Sequence, residues 1–256
     1  MADNSLNGRI AIVTGAAGDI GAAIVQRFVA AGCKVAALDR DLDALHARYP
    51  ETGGAEAHAG VLSMACDVAD ARATEAAVAQ VIARWGALHI VVNNAATVTP
   101  TATIADLSLD DWDTTLAVNL TGAWLMAKWA IPHMTQAGGG VVLNIASQLG
   151  HVTSRGRGAY GVSKAGMLAL TRSIAVDHAM DGIRAVSLSP GAVMTSRVAT
   201  RYGGTQEAND ALAGRYPVQR LGTVDDVADA ALFMVGDGAA FITGTDLLVD
   251  GGYTAV

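Results

Sequence analysis

Short, near-continuously apolar runs alternate along this chain with longer amphipathic ones, and that alternation limits what it can fold into. Arg9–Val13, Lys34–Leu38, Val61–Cys66, Leu88–Val92, Val141–Ile145, Ile183–Leu188 and Asp246–Val249 read as strands. A strand that is apolar on both faces has to be covered on both, as in a parallel sheet between two layers of helices. Helical patterns lie between the strands: Ile20–Ala31, Leu42–Arg48, Arg72–Trp85, Asp111–Met134, Ala159–Ala179 and Val224–Val235. Two carry start signals. Ser108-Leu109-Asp110-Asp111 fits a capping box, and Thr223-Val224-Asp225-Asp226 a capped acidic first turn. The expectation is an α/β fold, a doubly wound parallel β-sheet of about seven strands with helices on both faces. No linker, repeat or change of composition divides the chain, so residues 1–256 are read as a single domain. Met194–Pro217 breaks the rhythm, with Gly203-Gly204, several arginines and weak apolar periodicity. It reads as irregular, either disordered or a lid, and its place after a strand end favours a substrate lid at 194–217.

Mean hydropathy of +0.34 is high enough to raise a membrane reading. Every apolar stretch is interrupted well short of the ~18 residues a spanning helix needs. A net charge of −7 without a basic run argues against nucleic acid or an anionic membrane as partner. Met1–Gly8 lacks the basic and apolar regions of a secretory signal, so the expected location is cytoplasmic. Cys33 and Cys66 match no CxxC or zinc spacing and read as two small buried hydrophobes in a reducing compartment. The six histidines form no ligand cluster, so no metal is expected.

The first strand runs into Thr14-Gly15-Ala16-Ala17-Gly18-Asp19-Ile20-Gly21 and then a helix. A glycine-rich turn there lets backbone N–H groups and a helix N-terminus face a pyrophosphate. Any tight strand-to-helix turn wants glycine, so the turn alone is a weak signal. The second strand leads to Asp39, whose carboxylate can accept hydrogen bonds from an adenosine ribose and would repel a 2′-phosphate. Otherwise Asp39 is a solvated residue after a strand. With the turn it points to NAD over NADP.

Tyr160 and Lys164 stand at i, i+4 in a helical pattern, on one face. A free phenol is a poor base at neutral pH, and a nearby ammonium favours the phenolate. Ser147 follows a strand directly and brings a hydroxyl to the same crevice at the strand ends.

In order along the chain stand Thr14-Gly15…Gly21, Asp67-Val68, Asn93-Asn94-Ala95-Ala96, Asn119, Ser147, Tyr160-x-x-x-Lys164 and Pro190-Gly191 followed by Thr195. With this ordered set the chain resembles the short-chain dehydrogenase/reductase family, in its compact single-domain branch, from Ile10 to Gly252. The resemblance implies a Rossmann-type sheet and a catalytic set of Asn119, Ser147, Tyr160 and Lys164. Tyr160 would exchange the proton on the substrate oxygen, and Ser147 would orient that oxygen. Lys164 would lower the phenol's pKa and hold the nicotinamide ribose. Asn119 would hold a water that extends the proton relay. The implied NAD site is Gly15, Gly18, Asp19, Ile20, Gly21, Asp39, Asp67, Val68, Asn93, Tyr160, Lys164, Pro190, Gly191, Val193 and Thr195. It implies a homotetramer as well.

The turn departs from the branch's TGxxxGxG, since Asp19 holds the middle glycine's place and Gly18 precedes it. A carboxylate beside the pyrophosphate has to turn away, and capping the helix at Ile20 is one way. The turn also lacks the Arg or Lys that NADP-preferring relatives place there. The loops expected to form the substrate pocket supply Thr97, Val98, Gln148, Leu149, His151, Val193, Met194, Arg197, Arg201 and Tyr202. Ser147, Gln148, His151 and Tyr160 are the expected substrate contacts, although His151 reads equally as an exposed loop residue. This mix suits a sugar, polyol or alicyclic secondary alcohol. Two other readings remain open: an NADPH-dependent carbonyl or 3-oxoacyl-carrier-protein reductase, and a non-catalytic dinucleotide-binding regulator.

Overall fold

The computed structural model describes residues 5–50, 60–98 and 100–256. Seven parallel strands form its sheet: β1 (Ile10–Thr14), β2 (Lys34–Asp39), β3 (Val61–Ala65), β4 (Ile90–Asn93), β5 (Gly140–Ile145), β6 (Ile183–Pro190) and β7 (Asp246–Val249). Their order is β3-β2-β1-β4-β5-β6-β7. The order reverses between β1 and β4, and the carboxyl ends of those strands open the crevice where such sheets bind ligands. The pairing is parallel throughout, from Val35 with Val61 to Ser187 with Asp246. Strands β1, β4 and β6 are buried along almost their whole length, which is why they carry no polar alternation.

The helices are α1 (Asp19–Ala30), α2 (Leu42–Arg48), α3 (Ala71–Trp85), α4 (Leu109–Leu116), α5 (Gly122–Gln136), α6 (Gly158–Asp177), α7 (Ser196–Tyr202), α8 (Thr205–Leu212) and α9 (Val224–Val235). One core packs Ile24, Val25 and Phe28 of α1 and Val227, Ala231 and Met234 of α9 on Val13, Val92 and Leu143. The other packs Val78 and Val81 of α3 and Met126 and Ala130 of α5 on Ile12, Val91 and Val142. This is the two-layer cover that the apolar strands demand.

Two sequence expectations are corrected. Asp111–Met134 is not one helix: α4 and α5 are joined by a π-helical turn, Ala117–Thr121, in which the Gly122 N–H reaches back to the Ala117 carbonyl. Met194–Pro217 is not irregular. It folds into α7 and α8, whose Val198, Tyr202 and Leu212 gather with Met194, Ala213 and Leu221 into a small apolar cluster of their own. The weak apolar periodicity of this segment does not reveal them, because the contacts that stabilise α7 and α8 are tertiary.

Candidate active site

The glycine turn lies between β1 and α1 and is held from three sides. Gly15 has φ +64°, and a Cβ there would meet the Ala95 backbone at 2.8 Å. At Gly21 a Cβ would stand 2.3 Å from the Gly15 carbonyl, so both positions exclude any side chain. Asn94 Nδ2 donates to the carbonyls of Thr14 (2.9 Å) and Gly15 (3.0 Å), while Thr14 Oγ1 accepts from the N–H groups of Asn94 and Ala95. From α2, the Tyr49 hydroxyl donates to the Ala16 carbonyl at 2.9 Å and Arg48 to that of Ala17 at 3.3 Å. Asp39 at the end of β2 accepts from the Ala17 N–H at 3.2 Å, which fixes its carboxylate beside the turn. The turn and α1 leave Gly18 as N-cap with no side-chain cap. Unpaired first-turn N–H groups, side-chain-free glycines and an adjacent carboxylate form a set that fits a dinucleotide's pyrophosphate and adenosine ribose.

Asp19 does not cap its helix. Its Oδ2 accepts from both the N–H and the hydroxyl of Ser196 at 2.7 Å each, and its Oδ1 pairs with Arg48 at 3.1 Å. Burial pushes this carboxyl's pKa up, but the bonds from Ser196 and the Arg48 charge outweigh it and leave the group below the ordinary carboxylate range. The charge that would repel a pyrophosphate is thus neutralised. A cleft of about 410 Å³ opens here, lined by Asp19, Arg48, Thr195 and Ser196 among others. Arg48 also places beside the turn a basic group that the turn's own sequence lacks, committed to Asp19 and the Ala17 carbonyl.

Further round the crevice, Val68 is buried and Asp67 exposed, its Oδ1 accepting from the Ala69 N–H. Pro190 ends β6, the Gly191 N–H donates to the Val249 carbonyl, and Val193 is buried in a bridge to Gly222. Thr195 caps α7 through the Val198 N–H. Asn93 corrects the expectation that it lines the site's β4 edge. Its side chain is buried on Asn144 (2.8 Å) and the Ala123 carbonyl (3.3 Å), and Asn94 faces the glycine turn instead.

Ser147, Tyr160 and Lys164 come together where β5 meets α6. The Ser147 hydroxyl stands close enough to the Tyr160 phenol to favour its ionised form. Lys164 Nζ lies 5.7 Å from the Tyr160 ring centroid and donates to the Ile145 carbonyl at 2.7 Å. Burial drives the Lys164 ammonium down to a pKa of about 7. Burial also pushes the Tyr160 phenol above its ordinary value, while the Ser147 hydroxyl and the charges of Arg157 and Arg197 pull against that rise. The expected lowering by Lys164 is therefore not the dominant influence on this phenol; desolvation is. Arg157, the N-cap of α6, is a neighbour that no spacing rule marks.

Asn119 sits within the π turn, fully buried. Its Oδ1 accepts from the Thr97 N–H (2.8 Å), and its Nδ2 donates to the Thr97 carbonyl and to Ser163 Oγ (3.1 Å each). Ser163 in turn donates to the Tyr160 carbonyl at 2.8 Å. These bonds fasten the start of α6, which carries Tyr160, to the π turn and to the segment after β4. Gln148 Nε2 donates to the Tyr216 hydroxyl at 3.2 Å, and His151 Nε2 lies 2.7 Å from Asp246 Oδ2. Both side chains thus have protein partners. Among the described residues no cluster of ligating side chains could hold a metal, and no helix is long and apolar enough to cross a membrane.

A family model described as enoyl-(acyl carrier protein) reductase matches residues 15–254. D-threitol dehydrogenase of Mycolicibacterium smegmatis is 40% identical over 253 residues, 98% of this chain and 95% of that protein. The 2-(R)-hydroxypropyl-CoM dehydrogenase of Xanthobacter autotrophicus is 38% identical over 97% of this chain and 99% of its own length. A crystal structure from Burkholderia xenovorans, described as a short-chain dehydrogenase/reductase, superposes with a TM-score of 0.91 at 36% identity, covering 99% of both chains.

Proposed function

The chain belongs to the short-chain dehydrogenase/reductase family and is an oxidoreductase acting on CH–OH groups, and from that premise we propose that it uses NAD to interconvert a small secondary alcohol and its ketone. The observation that carries the reading is the joining of Ser147, Tyr160 and Lys164 at the strand ends, with the ammonium 5.7 Å from the phenol ring. Tyr160 is the general acid/base that takes the alcohol's proton or returns it to the ketone oxygen. Ser147 orients that oxygen, and Lys164, set 5.7 Å from the Tyr160 ring, would hold the nicotinamide ribose. When bound, the dinucleotide supplies the hydride acceptor. Gly15, Gly18, Ile20 and Gly21 would hold its pyrophosphate, Asp39 its adenosine ribose, Asp67 and Val68 its adenine, and Gly191, Val193 and Thr195 its carboxamide end.

The carboxylate of Asp39, held beside the turn by the Ala17 N–H, supports NAD over NADP because it would repel a 2′-phosphate. A polyol or related small alcohol is the substrate class, in keeping with the relative named for D-threitol. One domain carries both cofactor and chemistry, Met194–Pro217 is its lid, and the assembly is a homotetramer. A cytoplasmic location belongs to the same reading, supported by two buried cysteines that form no disulfide.

The test is a panel of polyols, sugars and cyclic alcohols assayed with NAD and with NADP, read by absorbance of the reduced nicotinamide. NAD supports the faster rate. Tyr160→Phe lowers kcat by about 10²–10⁴-fold while the dinucleotide's Kd is retained. Normal turnover in that variant, or a preference for NADP, overturns the corresponding part of the reading.

A further inference from the structure

The turn that carries Ser147 is closed at its far end by a residue of the last strand. Beyond β5 the Ala146 N–H donates to the Leu188 carbonyl at 2.8 Å, Ser147 is extended, and Gln148–Gly150 form a single 3-10 turn. This turn is bonded within itself. The Leu149 N–H donates to Ser147 Oγ (3.1 Å), that of Gly150 to the Ser147 carbonyl (2.8 Å), and those of His151 and Val152 to the Gln148 carbonyl (3.0 and 3.1 Å). It also lies directly on α6. A Cβ at Gly150 would stand 3.1 Å from the Lys164 carbonyl, and one at Gly161 would stand 3.2 Å from the Leu149 carbonyl. Backbone therefore meets backbone along the stretch that carries Tyr160 and Lys164.

His151 follows this turn, and its Nε2 lies 2.7 Å from Asp246 Oδ2. A carboxylate oxygen only accepts, so Nε2 carries the proton and donates. Asp246 is the first residue of β7, the edge strand, in register with Ser187 of β6. Its place is firm, because the preceding Thr245 carbonyl accepts from the Ser187 N–H at 3.0 Å. The Asp246 side chain is 12% exposed, and its Oδ1 is buried with no hydrogen-bond partner among the described residues. Removing the imidazole would leave an enclosed carboxylate with no side chain to compensate it, so the contact is costly to break. Bonds inside the turn fix its shape but not its place. Besides the packing on α6, two side-chain bonds tie it to the rest of the fold: His151 to Asp246, and Gln148 Nε2 to the Tyr216 hydroxyl at 3.2 Å.

We propose that His151 is a positioning residue: by holding Asp246 it fixes the turn that presents the Ser147 hydroxyl, so that the edge strand β7 sets the aim of a group at the reaction centre. This inference deepens the dehydrogenase reading and rests on it for the role of Ser147. A reacting or orienting group displaced by about 1 Å can cost about 10²-fold in rate, so a contact four residues away from Ser147 is enough to matter.

Two variants break the contact from opposite sides, Asp246→Leu and His151→Ala, while Asp246→Asn keeps an oxygen for the imidazole. Amide hydrogen exchange, which needs no turnover, reads the turn. In either breaking variant the amides of residues 149–152 exchange about tenfold faster, and in Asp246→Asn they keep the wild-type rate. Oxidation of the alcohol panel, with whichever dinucleotide the protein accepts, reads the aim. There kcat falls about tenfold in Asp246→Leu with the Kd of the reduced dinucleotide unchanged, and Asp246→Asn retains most of the rate. Because the effect passes through Ser147, Ser147→Ala combined with Asp246→Leu is no slower than Ser147→Ala alone. Unchanged exchange in both breaking variants, or a double variant about tenfold slower than Ser147→Ala, overturns the proposal. Faster exchange with an unchanged kcat also overturns it and leaves the contact a structural one. Faster exchange in the breaking variants, with no alcohol oxidised by the wild type, supports the hold of Asp246 on the turn and overturns the dehydrogenase reading.

Discussion

Lys164 is 1% exposed, and its ammonium has the Ile145 carbonyl at 2.7 Å and the Met167 sulfur at 3.4 Å for company. Burial lowers its pKa from 10.5 to about 7, whereas in the unfolded chain the group titrates at its ordinary value. Between those two pH values the unfolded chain holds the extra proton, so this residue's contribution to stability rises with pH through that window and is lost as pH falls towards 7. Lys164→Met removes the contribution. The urea midpoint of the wild type, taken relative to the variant's, increases from pH 7 to pH 10. A difference that does not change with pH would show that the ammonium is not desolvated. Ser147, Tyr160 and Lys164 are legible in the sequence because a short spacing and a strand end define them. Asn94, Arg48 and Tyr49 are not, because what they hold are backbone carbonyls 31 to 80 residues away, and a carbonyl leaves no trace in composition. The same reason hides the use of the Asn119 carboxamide on Thr97, 22 residues away.

Helix α9 begins with a complete capping box, in which Thr223 Oγ1 accepts from the Asp226 N–H at 3.1 Å and the Asp226 carboxylate accepts from the Thr223 N–H at 2.8 Å. Because α9 packs on α1 behind the glycine turn, its first turn supports the nucleotide side of the crevice. Thr223→Ala is expected to cost about 1 kcal/mol, read as a lower urea midpoint with an unchanged slope. No loss of stability would mean that the Arg220–Asp226 pair fixes this turn by itself. At this scale the sequence is informative where hydrophobic period and cap agree, as for Val224–Val235, and the bounds of Leu42–Arg48 and Asp246–Val249 match the structure as well. Ser108 also caps its helix as expected, accepting from the Asp111 N–H, although that helix starts at Leu109. The π turn at Ala117–Thr121 is illegible because one extra residue in a helix leaves the apolar pattern nearly intact.

Across the whole molecule, Val176 of α6, Met180 just after it, Phe233 of α9 and Phe241 between α9 and β7 are exposed apolar side chains, with Met180 99% accessible. Side chains of this size in water are the surface expected of a protomer that associates with copies of itself. Sedimentation equilibrium is expected to give four times the 26.0 kDa chain mass, and a single 26.0 kDa species would overturn the tetramer. The overall topology was open to reading because seven apolar runs in alternation with helices admit few arrangements. The helical fold of 194–217 is not, since α7 is tied at its start to Asp19, 177 residues earlier. That one carboxylate ties together the start of α1, the end of α2 and the start of α7. A change at Ser196 therefore cannot stay local: loosening α7 also frees the carboxylate that steadies Arg48 against the glycine turn, so under the proposed function coenzyme retention and substrate enclosure would be tuned by the same knot.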